Sequence, residues 1–235
     1  FPDTGRWEFK SFDGSATAGK ISSSVDRNGN LMSFAYDGAG RLGEIVDDLG
    51  RTNTLGYDGT GWLTSVTDFS GRVVRYEHAA GGNLAACISP AVTGTPNGND
   101  FPGGRNNRYN YYLGSTIETL NHNLTSITDP SGQTWLQVVY SPDTDSASIA
   151  FDTVDYVQRG PYRIKHRRFP QTPSPANSFA VVKCIENDAV GNVSECFFDS
   201  QNRCVRQLDY TGRANPDLAT TEKENRPVNK LRAED

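Results

Sequence analysis

An all-β fold, an antiparallel meander of short hairpins, is what this sequence predicts, and three observations predict it. Glycines recur at nearly constant spacing between residues 26 and 84. The segments between them are short runs of β-branched and aromatic residues. No apolar pattern of helical period is sustained, and 23 glycines in 235 residues would penalise helices throughout.

The elements follow in order. Gly29, Gly40, Gly50, Gly61, Gly71 and Gly82 lie 11, 10, 11, 10 and 11 residues apart. Turn signals surround them: Asp26-Arg27-Asn28-Gly29-Asn30, Asp37-Gly38-Ala39-Gly40-Arg41, Asp48-Leu49-Gly50-Arg51, Asp58-Gly59-Thr60-Gly61-Trp62 and Asp68-Phe69-Ser70-Gly71-Arg72. An aspartate there caps the turn through backbone N–H groups, and glycine takes the positive φ that a β-carbon disfavours. The intervening strands are 31–36, 42–46, 52–57, 63–67 and 73–76, so two periods make one hairpin. Positions 191, 202 and 212 restore the rhythm later in the chain, with Asn202 at a glycine position, as asparagine tolerates the left-handed conformation.

Inside this ladder a longer unit, Tyr-Asp-x-x-Gly-x-Leu, repeats. Tyr36, Asp37, Gly40 and Leu42 form the first copy, and Tyr57, Asp58, Gly61 and Leu63 the second, 21 residues on. A degraded third copy is read as Tyr76-Glu77 through Gly82-Asn83-Leu84. The unit resembles the YD repeats of the Rhs family, shared with teneurins and the shell subunits of insecticidal Tc toxins. Further stretches resume the resemblance at 124–134, 187–193, 198–203 and 209–213. It implies a curved β-sheet that is part of a spiralling hollow shell. In toxins such a shell encloses a C-terminal effector, and in cell-surface relatives it serves adhesion. The implied role here is structural: a shell segment within a larger secreted or cell-surface protein, not an enzyme. The period gives ten to fourteen strands, too few to close a large chamber alone.

The expected organisation is a repeat sheet over 1–89, a Gly/Asn/Pro-rich loop over 90–108, and divergent repeats over 109–214 with loops at 141–148 and 170–177. A polar, charged end over 215–235 is expected to continue into more repeats. Phe1-Pro2-Asp3-Thr4 carries neither a start methionine nor a signal-peptide pattern, so the chain reads as a piece of something longer. The expected partners are the remainder of that chain or adjacent shell segments. A toxin cargo and a glycan are further candidates. The competing function is a carbohydrate- or surface-binding adhesin that uses loops 90–108 and 141–148 with Tyr109, Tyr111 and Tyr112 as aromatic platforms.

Composition excludes other classes. With 28 acidic and 23 basic residues the chain is not built to coat nucleic acid, and no run approaches the ~18 apolar residues of a membrane helix. The one dense basic cluster is Arg163, Lys165, Arg167 and Arg168, with Arg159 and His166 beside it. On a strand Arg163, Lys165 and Arg167 share a face, which suits an anionic partner. A solvated edge strand, kept from pairing by its charges, explains the same residues more simply. Of four cysteines, Cys184, Cys196 and Cys204 cluster without a CxxC spacing, and the only histidines are His78, His122 and His166. Buried thiols are expected rather than zinc ligands, with one disulfide left open if the protein is exported.

No metal or cofactor is expected. Asp26-Arg27-Asn28-Gly29-Asn30 lacks the glycine and distal glutamate of a calcium loop. Asp129-Pro130-Ser131-Gly132 is read as a turn with proline second, not as a cleavage site. Neither Gly-x-Ser-x-Gly nor HExxH nor a phosphate loop occurs. Finally, the leucine after each turn (Leu31, Leu42, Leu63, Leu84) precedes Phe34, Ile45, Val66 or Cys87 by three residues. That offset places each pair on opposite faces, so both faces should be partly apolar.

Overall fold

A computed structural model of the chain describes residues 5–210 and 231–234. Of the sequence readings, the start at Phe1 to Thr4, the repeat copy at 211–213 and most of the polar end over 215–235 lie outside these residues. The chain forms two compact units, 1–108 and 109–235. Both are antiparallel meanders, as the glycine rhythm predicts.

In the first unit the strands are β1 (Arg6–Phe9), β2 (Ile21–Val25), β3 (Leu31–Tyr36), β4 (Leu42–Asp47), β5 (Thr52–Tyr57), β6 (Leu63–Thr67), β7 (Val73–His78) and β8 (Leu84–Ile88), followed by the start of β9 (Asn106–Tyr111). Each pairs with the next in sequence. The five-residue turns alternate between the two ends of the sheet. Those at 37–41, 58–62 and 79–83 share one end with the β1–β2 connection. Those at 26–30, 47–51 and 68–72 share the other, where residues 89–105 later replace a turn. That long connection is organised by the bridge between Val92 and Phe101 and by Asp100, which accepts the N–H groups of Gly94 and Thr95.

The faces differ from the expectation. Every turn that follows a Tyr-Asp position leads into a bulge, because Tyr36 pairs with Leu42 while Ala35 pairs with Glu44. Tyr57 and Leu63, then His78 and Leu84, repeat the shift. One extra residue per bulge returns the leucine to the face of the residue three positions on. Phe34, Tyr36, Leu42 and Ile45 therefore share one face with Leu55, Tyr57, Leu63, Val66, Val74 and Tyr76. The opposite face is mostly polar over β4–β6, with Glu44, Thr52, Thr54, Gly56, Ser65 and Thr67 beside Val46. Only the Leu31–Phe34 pair, with no bulge between its members, keeps the opposed arrangement. Among the described residues of this unit just Ser23, Gly40, Ala86 and Ile88 are fully buried. One surface of the unit is thus largely apolar, while the other is mostly polar over β4–β6 and carries the buried Ala86 and Ile88 at β8.

The second unit holds β10 (Leu124–Thr128), β11 (Thr134–Tyr140), β12 (Val154–Arg159), β13 (Tyr162–Pro170), β14 (Val182–Asn187), β15 (Val193–Phe198), β16 (Cys204–Tyr210) and β17 (Leu231–Glu234), with short 3₁₀ turns at Glu118–His122 and Pro175–Asn177. Seventeen strands thus stand among the described residues where the period predicts ten to fourteen. The surplus lies where the glycine rhythm lapses, as at β1, β12 and β13. Here one sheet face is covered: Lys183, Ile185, Asn187, Val193, Glu195, Phe197 and Leu208 are all buried. Part of the cover is the 171–181 connection, whose Ala180 clusters with Phe197 and Leu208, and whose Ala176 carbonyl accepts from Arg206 at 2.8 Å.

Candidate functional site

The repeated site of this chain is its turn. In each, the aspartate N–H donates to the carbonyl four residues on, and the glycine N–H returns to the aspartate carbonyl, as at Asp37, Arg41 and Gly40 (both 2.9 Å). One carboxylate oxygen then accepts two further N–H groups, those of Ala39 (2.9 Å) and Arg41 (2.8 Å) at Asp37. The other accepts the side chain after the glycine: Arg41, Arg51, Arg72 or Arg203, and Asn30 at the Asp26 turn. The Asp26 loop is therefore a turn whose carboxylate is occupied by its own donors. Asp129 does the same for Ser131 and Gln133. Asn202 takes the left-handed conformation at φ 57°, as its place in the rhythm predicts.

Two assignments change. The capping aspartate of the third turn is Asp47, which accepts from Leu49 and Arg51, and not Asp48. The Asp-x-x-Gly spacing of the other turns already pointed to it. The third copy of the long unit begins at His78-Ala79, since Ala79 and Gly82 make the turn's bonds and His78 pairs with Leu84. That keeps the 21-residue spacing, with histidine for tyrosine and alanine for aspartate.

The role of the tyrosine and of the residue after the glycine was not legible in the turn signals. Tyr36 donates its hydroxyl to the Ile21 carbonyl and Tyr57 to that of Leu42, each at 2.8 Å, where the neighbouring strand begins. Lys20 lies over the ring of Tyr36 (5.6 Å), Arg41 over Tyr57 (4.7 Å), and Trp62 stacks on His78 (5.6 Å). Lys20 also donates to the Gly40 carbonyl. A β-carbon on Gly82 would stand 2.3 Å from the Trp62 ring. So at one end of the sheet each turn sends a side chain onto the ring and glycine of the next. Hydrogen bonds hold the turn strands together, and cation–π and ring contacts join successive hairpins. The signal was present in the 21-residue spacing of Lys20, Arg41 and Trp62.

These bonds depress the turn carboxylates. Asp37 and Asp47 are held below the usual carboxylate range first by the N–H groups of Arg41 and Arg51. The hydroxyls of Thr60, Ser70 and Ser131 lead at Asp58, Asp68 and Asp129, and the side chains of Asn30 and Arg203 at Asp26 and Asp199. A group depressed in the folded state contributes stability above its unfolded value, and that stability is lost as pH falls through the folded value. Melting temperatures should therefore hold from neutrality to about pH 4, the range of unfolded aspartates, and decline below it. Replacing Asp37, Asp47, Asp58 and Asp68 by asparagine should lower the neutral melting temperature and flatten the acid decline, read by circular dichroism between pH 2.5 and 7. An acid limb as steep as that of the parent chain would rule out these turns as its source.

The basic cluster lies on β13, an interior strand paired with β12 and β14, so the edge-strand explanation is overturned. Arg163 lies 4.3 Å above the Tyr156 ring and bonds the Gln158 side chain (2.9 Å). Arg167 pairs with Asp155, and Arg168 donates to the Val154 carbonyl at 3.0 Å. Lys165 stands opposite Tyr156 and Asn187. Three of the four cations are thus engaged by β12. Burial lowers the His166 pKa, opposed by Glu186 at 3.7 Å. On β14–β16 Cys184 stands directly opposite Cys196, and all four cysteines are free thiols. Burial, then the neighbouring Cys204 and Cys184, push Cys196 up to about 11. Among the described residues no group of three or more His, Cys, Asp or Glu side chains is arranged to hold a metal ion, and no helix is long and apolar enough to cross a membrane.

Residues 57–91 match the family model of the RHS repeat. That stretch carries an RHS repeat. The matched stretch runs from the second Tyr-Asp turn, through the Trp62–His78 stack, to the degraded third copy. The same turn bonds recur outside it, at Asp26, Asp37 and Asp47 and again at Asp188 and Asp199. No curated protein matches the sequence. Among solved structures the chain is similar to the crystal structure of TcdB2-TccC3-Cdc42 (12% identity, TM-score 0.43, 83% of this chain and 12% of that one). It is also similar to TcdB2-TccC3 without its hypervariable C-terminal region (14%, TM-score 0.42, 83% and 9%). A porin-like protein from Bacteroides uniformis ATCC 8492 gives 10% identity and a TM-score of 0.34, over 91% of this chain and 85% of that one. The chain thus spans about an eighth or less of the TcdB2-TccC3 chains.

Proposed function

We propose that this chain is a wall segment of an RHS-repeat shell within a larger secreted or cell-surface protein, with a structural role and no chemistry of its own. The observation that carries the reading is the linkage of successive hairpins, Lys20 to Tyr36 and Gly40, Arg41 to Tyr57, Trp62 to His78 and Gly82. A device that joins each repeat to the next holds a long sheet in one curvature without needing a conventional core. Over β4–β6 one face is apolar and the other mostly polar, as suits a wall between two different environments. The partners under this reading are the adjacent segments of the same chain and a C-terminal effector enclosed by the wall. Of the β13 cations, Arg163, Lys165 and Arg167 then share the wall face on which an anionic partner would meet them, and Arg168 lies on the other.

The test is electron microscopy of the intact natural polypeptide, combined with limited proteolysis. A hollow particle whose C-terminal segment resists protease until the particle is opened is the expected result. A solid particle, or a C-terminal segment cut at once, would overturn enclosure. Binding of the intact protein to an array of glycans in that case would support the adhesin reading instead.

A further inference from the structure

In the second unit a cavity of about 380 Å³ opens where the Glu118–His122 turn, the start of β10, the end of β11 and the 141–153 connection meet. Its apolar walls are Tyr112, Leu120, Val139, Tyr140 and Pro142. Two carboxylates, Asp143 and Asp152, stand in the lining, and no lysine, arginine or histidine does. This volume lies in the roughly 300–1,000 Å³ range of small-ligand sites.

The polar members are fixed in place. Asn123 donates its amide to Asp152 at 2.7 Å, and the Tyr140 hydroxyl is tied to the Leu124 carbonyl at 3.2 Å. Asp152 sits in the left-handed region at φ 51°, which aspartate tolerates. The Ser148 hydroxyl, then the Asp145 N–H at 2.9 Å, keep the Asp143 carboxyl ionised to lower pH than usual.

We propose that this cavity binds an organic cation with an apolar body, either an arginine or lysine side chain of a partner segment or a free alkylguanidinium or alkylammonium. Tyrosine rings attract cations over their faces, the aliphatic wall takes up the methylene stem, and two carboxylates balance the charge. A neutral apolar guest would draw nothing from the two carboxylates in the lining, and an anion would be repelled. The sequence reading had placed a saccharide near Tyr112 and loop 141–148. The absence of any basic residue from the lining, with two acids present, favours the cation.

Calorimetry on the 235-residue chain tests this with n-butylguanidinium and an arginine-containing tripeptide amide, beside n-butanol and butyrate as neutral and anionic probes. Both cations should bind, and n-butanol and butyrate should not. Tighter binding of the tripeptide assigns the cation to a partner segment, equal binding to a free small molecule, and both outcomes support the site. Asp152→Asn preserves shape, the bond from Asn123 and tolerance of the left-handed backbone, so the variant folds while affinity falls about tenfold, the loss of one charge contact. Asp143→Asn should lower it further. Equal binding of n-butanol, or undiminished binding by both variants, would overturn the assignment. Neither result bears on the wall reading, which concerns the turns of the first unit.

Discussion

Glu195→Ala should destabilise the chain by about 3–5 kcal/mol, the cost of breaking a buried ion pair from one side. Glu195 and Lys183 face each other on β15 and β14 with Nζ and Oε1 3.8 Å apart, and their side chains are 2% and 3% exposed. The ammonium also lies 5.8 Å from the Phe169 ring and 5.9 Å from that of Phe197. Without the carboxylate, the buried ammonium loses this ion pair. Replacing both partners, Lys183→Met with Glu195→Leu, removes the two desolvation terms together. That double variant should be neutral or more stable than the parent by about 1–4 kcal/mol. Urea unfolding followed by circular dichroism reads both. A single variant as stable as the parent would mean that water reaches the pair, and a double variant as unstable as the single would mean that the site needs polarity.

The strands between the early glycines were legible because one physical rule repeats there. Asp-x-x-Gly makes the turn bonds by itself, so β3, β5 and β6 begin and end where the spacing puts them, whatever they pack against. The faces were misread because a bulge is invisible to strict alternation. The residue added at Gly43, Thr64 or Ala85 turns an offset of three into a shared face, and only cross-strand register reveals it. Tyr76 matches the repeat by residue type, whereas the fold keeps the period and sets His78 at that position. In the second unit the buried pair of Lys183 and Glu195 and the cavity beside Asp152 arise from connections of 11 to 13 residues, whose paths no local pattern dictates. Lys20, Arg41 and Trp62 share a position but not a chemistry. Their common task, covering the next ring, appears only once hairpins are set side by side.

Gly40→Ala should be far more damaging than Gly50→Ala, although both glycines have nearly the same backbone. Their φ angles are +78° and +75°, and the left-handed conformation alone costs an alanine about 1–2 kcal/mol. At Gly50 nothing lies within 4 Å of the added β-carbon, so that figure is the whole expected loss. At Gly40 the β-carbon would stand 2.2 Å from the Ala16 carbonyl oxygen and 2.9 Å from the Lys20 ammonium nitrogen. Backbone cannot swing aside as a side-chain tip can, so the β1–β2 connection must move and Lys20 must leave the Gly40 carbonyl. Asparagine separates the two causes. Because it tolerates the left-handed region, Gly50→Asn should recover most of the stability lost in Gly50→Ala, whereas Gly40→Asn should recover none. Thermal melts of the four variants decide it. Equal losses at the two positions would mean that the glycine serves the turn alone, and that the contact between neighbouring turns on which the wall reading rests contributes nothing to stability.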